Sequence, residues 1–480
     1  MVFNSFQFIW LFPLIFIGYF LLSYLSGRKG LALQHKASNA MLLFVSYGLY
    51  AQANAAFTLI LLGVTFVTYS FALLIERSDA VKSKKLLIAG GSLLALLPLL
   101  VFKYYNFVVA ASNSLFESIH CSADLPGLNL AVPLGISFFT FQAVGYLMDV
   151  YYGHIKAERD WWDYMLFVSF FPQIMAGPIS KAKDLLPQIK SCRRFDPDMA
   201  TQGLKWFLWG LFLKVMMADR LAMYVDKVLD NYQFNSGTSC LLAVVFYSFQ
   251  IYGDFAGYSF MAMGVGRLMG FRLVNNFQRP YLATSITDFW RRWHISLSTW
   301  LKDYVYIPLG GSRCPKARNY WNIFVTFLVS GIWHGANWTF ILWGILHGLF
   351  QIVEKMFGWQ KVTTLRLPLR LARISLTFAL VTFAWVFFRQ PSLTDALGVF
   401  VRIANDHGPL FNPSKTTMVF SFLSIVLVTS VDLAREFLPN RFYGFMHAPV
   451  AVRWCAYYTL LLLVLLCGVF DSSQFIYVSF

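Results

Sequence analysis

Long apolar runs separated by short polar connections extend along the whole chain. A helix needs roughly 20 mostly apolar residues to cross a hydrocarbon core about 30 Å thick. Runs close to this length lie at about 8–26, 39–53, 57–75, 86–102, 131–151, 202–224, 239–262, 371–388, 417–434 and 454–470. The pattern predicts an all-α polytopic membrane protein with about 10–12 transmembrane helices.

Three segments depart from simple spans. Residues 103–117 and 288–305 have one polar and one apolar face, which predicts amphipathic helices, the first at the outer surface. Residues 161–178 lie between two basic connections and contain Pro172 and Gly177, so a re-entrant segment is predicted there. Residues 320–356 either cross twice or form a buried hairpin. With no visible repeat, one domain is expected over 1–480, with core motifs at about 131–350.

The composition and the charge distribution agree with a membrane protein. The chain is 58% hydrophobic and 13% charged, whereas soluble domains are about 25% charged. The net charge is +16, but alternate connections carry 31 of the 39 Lys and Arg residues. This positive-inside asymmetry places the basic connections in the cytoplasm and the N-terminus outside. The basicity therefore does not predict nucleic-acid binding. The first run precedes its positive charges, which predicts a retained span rather than a cleaved signal peptide.

Two groups of polar residues lie within predicted spans at helical spacing. Gln142, Tyr146 and Asp149 share one helical face. The same holds for Gln250, Asp254 and Tyr258. Polar groups at membrane depth line a cavity or bond a neighbouring helix. Both interpretations remain open for each group.

The segment 288–305 is predicted to lie at the cytoplasmic surface, and it contains arginine, tryptophan and histidine side chains that could bind a ligand. If it is one helix, Trp290 and Trp293 lie on its apolar face, Arg291 and Arg292 on its polar face, and His294 on the apolar edge. The cations suit lipid phosphates or a phosphorylated cytosolic ligand equally well.

His334 is the strongest candidate for chemistry. The 15 residues before it, 319–333, span about 22 Å as a helix, so His334 falls inside the membrane, at the sequence Trp-His-Gly-Ala-Asn. Neutral imidazole can accept a proton near pH 7, as a general base must. The alternative is a structural histidine that bonds a carbonyl group. Gly335 permits close approach of substrate or backbone.

The other histidines are expected outside this site. Along a continuing helix, His347 would lie about 20 Å beyond His334, roughly on the opposite face. His35, His120, His154 and His407 fall in connections and are expected to be solvated. There is no P-loop, His-Glu-x-x-His or Gly-x-Ser-x-Gly motif. The six cysteines form no metal-binding pattern, so no metal site is predicted.

Six ordered motifs carry a resemblance to a known family. They are VPLGISFFTFQAVGYLMDVYYG, FFPQIMAGPI, QIYGDFAGYSFMAMG, FQRPY, DFWRRWHISLSTWLKDYVYIPLGG and WHGANWTFILWGILHG. Together they resemble the membrane-bound O-acyltransferase (MBOAT) superfamily, in its bacterial alginate O-acetylation branch. The resemblance extends over the whole chain.

The resemblance implies a helical bundle with a central tunnel in the bacterial inner membrane. The donor would be cytoplasmic acetyl-CoA, with no permanently bound cofactor. The acceptor would be a hydroxyl of an extracytoplasmic polymer, such as an exopolysaccharide or peptidoglycan. Delivery would involve an acetyl-carrying or esterase-like, SGNH-type partner protein. The lipid bilayer, which would surround the chain, is expected as a third partner besides the carrier protein and the polymer.

The resemblance also suggests roles for residues. His334 would be the catalytic base, and His294 would line the donor tunnel. Arg291, Arg292 and Trp293 are the candidates for donor binding. Asp254, Gln250, Tyr258, Asn337 and Trp333 are the candidates for lining the cavity. Two other functions remain open: D-alanyl transfer from a carrier-protein thioester, and transport of a small metabolite.

Overall fold

The computed structural model describes residues 3–28, 30–121, 124–361, 365–470 and 475–476. Within these ranges all regular structure is helical, as predicted. Seven of the described helices are long and apolar enough to cross a membrane. They are Phe6–Gly27, Ala55–Arg77, Val81–Ser118, Gly237–Leu268, Leu367–Arg389, Lys415–Phe437 and Val450–Cys467. To reach the predicted 10–12 spans, some of the other helices described below, which are less apolar, would also have to cross the membrane.

The described residues fall into two compact units, and one domain over 1–480 stays a prediction. The first unit comprises Met1–Lys205 and Ala262–Val274. Its helices are α1 (Phe6–Gly27), α2 (Leu31–Ala53), α3 (Ala55–Arg77), α4 (Val81–Leu99), α5 (Tyr105–Ser118), α6 (Ile136–Tyr151), α7 (Trp161–Ser169) and α8 (Ala182–Ile189).

One prediction for the first unit is confirmed and one is wrong. The helix predicted at 103–117 is present as α5 (Tyr105–Ser118), and a π-helical turn, Leu100–Tyr104, joins it to α4 without a break. Its position at the outer surface stays a prediction. His35 is not solvated, because α2 begins at Leu31 and carries it into the protein. Its side chain is 15% exposed, and its Nε2 lies 3.3 Å from Asp163. His154 and His120 are exposed, as expected.

The polar face of α6 is structural. Gln142 donates a hydrogen bond to the carbonyl of Phe167, and the Tyr146 hydroxyl accepts one from the amide of Glu158. Asp149 pairs with His154 at 3.1 Å. These contacts favour helix packing over a ligand site. The predicted interruption in 161–178 is present, because α7 ends at Ser169 and a series of turns follows.

The second unit comprises Trp206–Met261 and Asn275–Phe480. α9 (Pro197–Leu211) begins in the first unit and ends in the second, where a π-helical turn, Phe212–Ala218, joins it to α10 (Asp219–Leu229). α11 (Gly237–Leu268) begins in the second unit and ends in the first. The remaining helices of the second unit are α12 (Ile286–Arg292), α13 (Ile295–Leu301), α14 (Lys316–His334), α15 (Trp338–Met356), α16 (Leu367–Arg389), α17 (Leu393–Asn405), α18 (Lys415–Phe437), α19 (Pro439–Gly444) and α20 (Val450–Cys467).

α14 and α15 form an antiparallel hairpin in which the backbones approach closely. A Cβ atom on Gly331 would lie 2.4 Å from the carbonyl oxygen of Phe340. One on Gly344 would lie 2.5 Å from the carbonyl oxygen of Phe327. Small residues at helix interfaces permit such approach within membranes. This hairpin sets the position of His334.

The single amphipathic helix predicted at 288–305 is wrong. α12 ends at Arg292 and α13 begins at Ile295, and His294 between them has a left-handed backbone with φ of 44°. A π-helical turn, Lys302–Tyr306, follows α13. Because the chain bends at His294, the helical-wheel positions derived from Trp290 do not hold beyond the break.

Candidate functional site

The turn between α14 and α15 positions His334, the last residue of α14. Asn337 caps α15: its side chain accepts a hydrogen bond from the amide of Thr339 at 3.1 Å. Asn337 also donates to the carbonyl of Pro391 at 2.7 Å. A Cβ atom on Gly335 would overlap the Phe340 ring, so a larger residue there would displace that ring. Asn337 therefore acts as a helix cap, whereas sequence reasoning assigned it to a cavity.

Aromatic rings surround the buried imidazole of His334. The ring centroids of Trp333, Trp343 and Phe388 lie 4.8, 4.9 and 5.1 Å from it. All three rings stand nearly edge-on to the imidazole. The surroundings fix the orientation of the ring and limit access of water. Such confinement suits a histidine that receives a proton from one oriented donor.

His294 is completely buried and lies close to Trp333, which also contacts His334. Its ring is edge-on to Phe255 at 4.6 Å and 6.0 Å from Trp333. Since Trp333 contacts both imidazoles, the centroids of His294 and His334 are no more than about 11 Å apart. Burial lowers the pKa of His294 to about 3, so its ring is neutral at pH 7. The predicted inward position of His294 is confirmed.

His347 is nearer to His334 than the sequence predicted. Trp343 lies 4.9 Å from His334 and 4.8 Å from His347, which brings the two imidazoles within about 10 Å. The predicted 20 Å assumed a continuing helix, but the hairpin reverses the chain at residues 335–337. His347 accepts a hydrogen bond from Trp290 Nε1 at 3.2 Å. The Trp343 ring thus contacts both His347 and His334.

A cavity of about 540 Å³ lies beside these residues. Its lining includes three cations (Arg291, Lys302 and Lys355) together with hydroxyl and amide side chains. Ser330 also lines it, and Ser330 is one helical turn before His334 on α14. The cavity that these cations line therefore reaches to within one helical turn of the candidate base. Lys302 and Lys355 were not among the predicted site residues.

Arg291 and Arg292 have different surroundings. Arg291 is exposed and lines the cavity. Arg292 is paired with Asp288 at 2.9 Å and with Glu436 at 3.1 Å. Glu436 also binds Arg279 and Arg370, so it joins three arginines from separate segments. Of the predicted donor-binding pair, only Arg291 faces the cavity.

Trp293 packs in the aromatic core, apart from the cavity lining. It stacks on Phe289 with centroids 5.5 Å apart and contacts Phe277 and Trp385. Trp290, on the preceding turn, lines the cavity instead. Trp293 directly follows the last residue of α12 and its backbone is extended, so its side chain does not share the helical face of Trp290.

Asp254 belongs to a buried ionic cluster. Lys214 Nζ lies 2.6 Å from Asp254 and 2.7 Å from Asp219, and all three side chains are almost fully buried. The second carboxylate oxygen of Asp254 accepts a hydrogen bond from the amide of Ile476 at 2.7 Å. Gln250 and Tyr258 are buried one turn on either side of Asp254. The partner that a buried aspartate requires is therefore Lys214.

Sequence reasoning missed Lys214, although a signal was present. It is the single charged residue in the run WFLWGLFLKVMMA. A lysine within such a run needs an anionic partner. Among the described residues, no group of three or more His, Cys, Asp or Glu side chains is placed to hold a metal ion.

The set of apolar helices defines an integral-membrane protein, and its second unit holds three buried histidines and a cationic cavity. The profile of the membrane-bound O-acyltransferase family matches residues 156–389. The chain belongs to this family, and it is an O-acyltransferase.

Curated relatives cover most of the chain. It is 40% identical to a probable alginate O-acetylase AlgI of Pseudomonas putida, over 92% of this chain and 90% of that protein. It is 36% identical to a peptidoglycan O-acetyltransferase of Helicobacter pylori, over 83% and 79%. A teichoic acid D-alanyltransferase of Bacillus subtilis is 28% identical over 57% of this chain and 69% of its own. The O-acetyltransferase relatives thus match a larger share of the chain.

Proposed function

We propose that this protein transfers acetyl groups from cytoplasmic acetyl-CoA to hydroxyls of an extracytoplasmic polymer. The polymer would be a polysaccharide or peptidoglycan, because relatives named for alginate and for peptidoglycan acetylation match over most of the chain. The observation that carries the proposal is His334, buried at a helix break, one turn from a residue that lines a cationic cavity.

His334 would act as the general base. Its imidazole takes the proton of an acceptor hydroxyl while the oxygen attacks the thioester carbonyl carbon. An ester C–O bond forms, the C–S bond breaks, and the CoA thiolate leaves. The proton held by His334 returns to that sulfur, so the products are the acetyl ester and free CoA thiol. General base catalysis of this kind contributes roughly 10²–10⁴-fold in rate.

The cavity has the charge that a CoA donor requires. Arg291, Lys302 and Lys355 would bind the phosphates, because guanidinium and ammonium groups form strong hydrogen bonds with phosphate oxygens. Trp290 and Ile295 offer apolar surface for the pantetheine arm. His294, neutral and in contact with Trp333, would lie along the donor path and hydrogen-bond the substrate without carrying charge.

The helical spans and the bacterial relatives support an inner-membrane location. The positive-inside rule supports an orientation with the basic connections in the cytoplasm and the N-terminus outside. The cationic cavity would then receive its donor from the cytoplasm. The acetyl group would leave on the opposite side, where an acetyl-carrying or esterase-like protein would pass it to the polymer.

The decisive test uses cells that lack the gene, complemented with the wild type, His334→Ala or His407→Ala. His407 is an exposed histidine and serves as the matched control. Mass spectrometry of surface glycans measures acetylation, and a thiol assay on membranes supplied with acetyl-CoA measures CoA release. We expect a loss of at least 100-fold in both for His334→Ala, and wild-type values for His407→Ala. Full acetylation by His334→Ala would disprove the proposal.

The same measurements separate two other functions. A transporter would move labelled donor without releasing thiol. A D-alanyltransferase, suggested by the Bacillus subtilis relative, would esterify surface polymers with alanine from a carrier-protein thioester and leave acetyl-CoA intact. Supplying both donors to the same membranes distinguishes the three outcomes.

A further inference from the structure

We propose that Asn276 is a positioning residue that holds His294 in the site, an inference that rests on the role proposed for His294 in acetyl transfer. Asn276 is completely buried and lies in the segment between α11 and α12. It is 18 residues from His294 in sequence. Asn276 accepts hydrogen bonds from the backbone amides that follow His294.

The break at His294 leaves backbone amides that need acceptors. The first amides of any helix have no partner within it, and the side chain of the N-cap residue usually accepts one of them. His294 occupies the N-cap position of α13, in a left-handed conformation with φ of 44°, and its side chain does not cap the helix. Non-glycine residues rarely adopt this conformation and retain it only where neighbouring contacts impose it.

Asn276 provides the missing cap from another segment. Its backbone carbonyl accepts from the amide of Ile295 at 3.1 Å. Its side-chain oxygen accepts from the amide of Ser296 at 2.9 Å. Its side-chain nitrogen lies 3.5 Å from the hydroxyl of Ser259 on α11, which orients the amide group. One residue thus satisfies the first two amides of α13.

The same segment also holds the other side of the break. The amide of Gln278 donates to the carbonyl of Arg292 at 2.9 Å. Arg279, itself left-handed with φ of 50°, binds Glu436 together with Arg292. Both ends of the bend at Trp293 and His294 are therefore fixed to residues 276–279.

Capping by Asn276 frees the imidazole of His294 for the protein interior. If the histidine capped its own helix, its ring would point back along the backbone of α13. Instead, the ring lies against Phe255 and Trp333, and Trp333 contacts His334. Asn276 is thus expected to affect the reaction through the orientation of His294.

The test compares Asn276→Ala, Asn276→Asp and Asn275→Ala in the full-length protein. Aspartate keeps the oxygen that accepts from Ser296. Asn275 is the matched control, because its side chain accepts from the amide of Phe277. The readouts are kcat and KM for CoA release from acetyl-CoA, per amount of monodisperse protein. We expect kcat to fall at least tenfold in Asn276→Ala with KM within about twofold, and to recover to at least a third of wild type in Asn276→Asp. Asn275→Ala should match the wild type.

A double variant shows whether Asn276 acts through His294. If it does, His294→Ala combined with Asn276→Ala is no slower than His294→Ala alone, because neighbouring residues that share one role are non-additive. Multiplied losses, or an Asn276→Ala enzyme within twofold of wild type, would overturn the inference. A fully active His294→Ala enzyme would overturn it too. Failure of the proposed function is distinct, since the wild type itself would then release no CoA thiol.

Discussion

Trp290 donates a hydrogen bond from Nε1 to Nδ1 of His347 at 3.2 Å, and both side chains are buried. Trp290 also lines the cationic cavity, while His347 contacts Trp343, which in turn contacts His334. This bond therefore connects the wall of the cavity to the surroundings of the candidate base.

We expect His347→Leu to reduce stability rather than chemistry. It leaves the indole N–H of Trp290 buried without an acceptor, which costs about 1–3 kcal/mol. Thermal unfolding in detergent should show a lower midpoint, while kcat per folded molecule stays within a few-fold of wild type. His347→Gln, which keeps an acceptor, is the control. A His347→Leu enzyme with wild-type stability and no turnover would instead place His347 in the reaction.

The neighbouring arginines should give opposite phenotypes. Arg291→Ala removes a cavity cation, so KM for acetyl-CoA should rise about tenfold at constant stability. Arg292→Ala breaks contacts with Asp288 and Glu436, so the folded yield should fall while KM stays constant. Arg313→Ala, an exposed arginine outside the cavity lining, is the control for lost charge. Equal KM values in all three variants would disprove donor binding at this cavity.

Replacement of Lys214 should be strongly destabilising. Lys214→Met leaves Asp219 and Asp254 buried together without their cation. Breaking a buried pair by removing one partner costs about 3–5 kcal/mol. Unfolding midpoints and the monodisperse fraction measure the effect, and Lys227→Met, at an exposed position on α10, should be neutral. An equally stable Lys214→Met protein would show that the cluster contributes little.

The hairpin that carries His334 should be sensitive to one added methyl group. In Gly344→Ala the new Cβ would lie 2.5 Å from the carbonyl oxygen of Phe327, and would separate α14 from α15. Overpacking of this kind costs about 1–3 kcal/mol, and the displaced His334 should lower kcat as well. Gly63→Ala is the control, because a Cβ there meets no atom within 4 Å. Unchanged kcat and stability for Gly344→Ala would contradict the close packing.

Some properties of this protein follow from local sequence alone. Spans are recognisable because apolar runs must match the thickness of a bilayer, whatever surrounds them. The break after His334 is also local, since Gly335 and Asn337 end one helix and cap the next. His334 was predictable for that reason.

Other properties depend on partners that are distant in sequence. The bend at His294 is held by Asn276 and Gln278, and extrapolation of one helical period through Trp293 could not detect it. Arg291 and Arg292 look equivalent until Glu436, 144 residues from Arg292, pairs with only one of them. The proximity of His347 to His334 requires the chain to reverse.

The sequence alone determined the class of protein, its helical character and the position of His334 at a break. Only the tertiary structure decided which arginine faces the cavity, which lysine neutralises Asp254 and how near the three buried histidines lie. The physical reason is the range of the interactions. Helix lengths, breaks and caps depend on neighbouring residues, whereas ion pairs, aromatic contacts and hairpin packing depend on where distant segments meet.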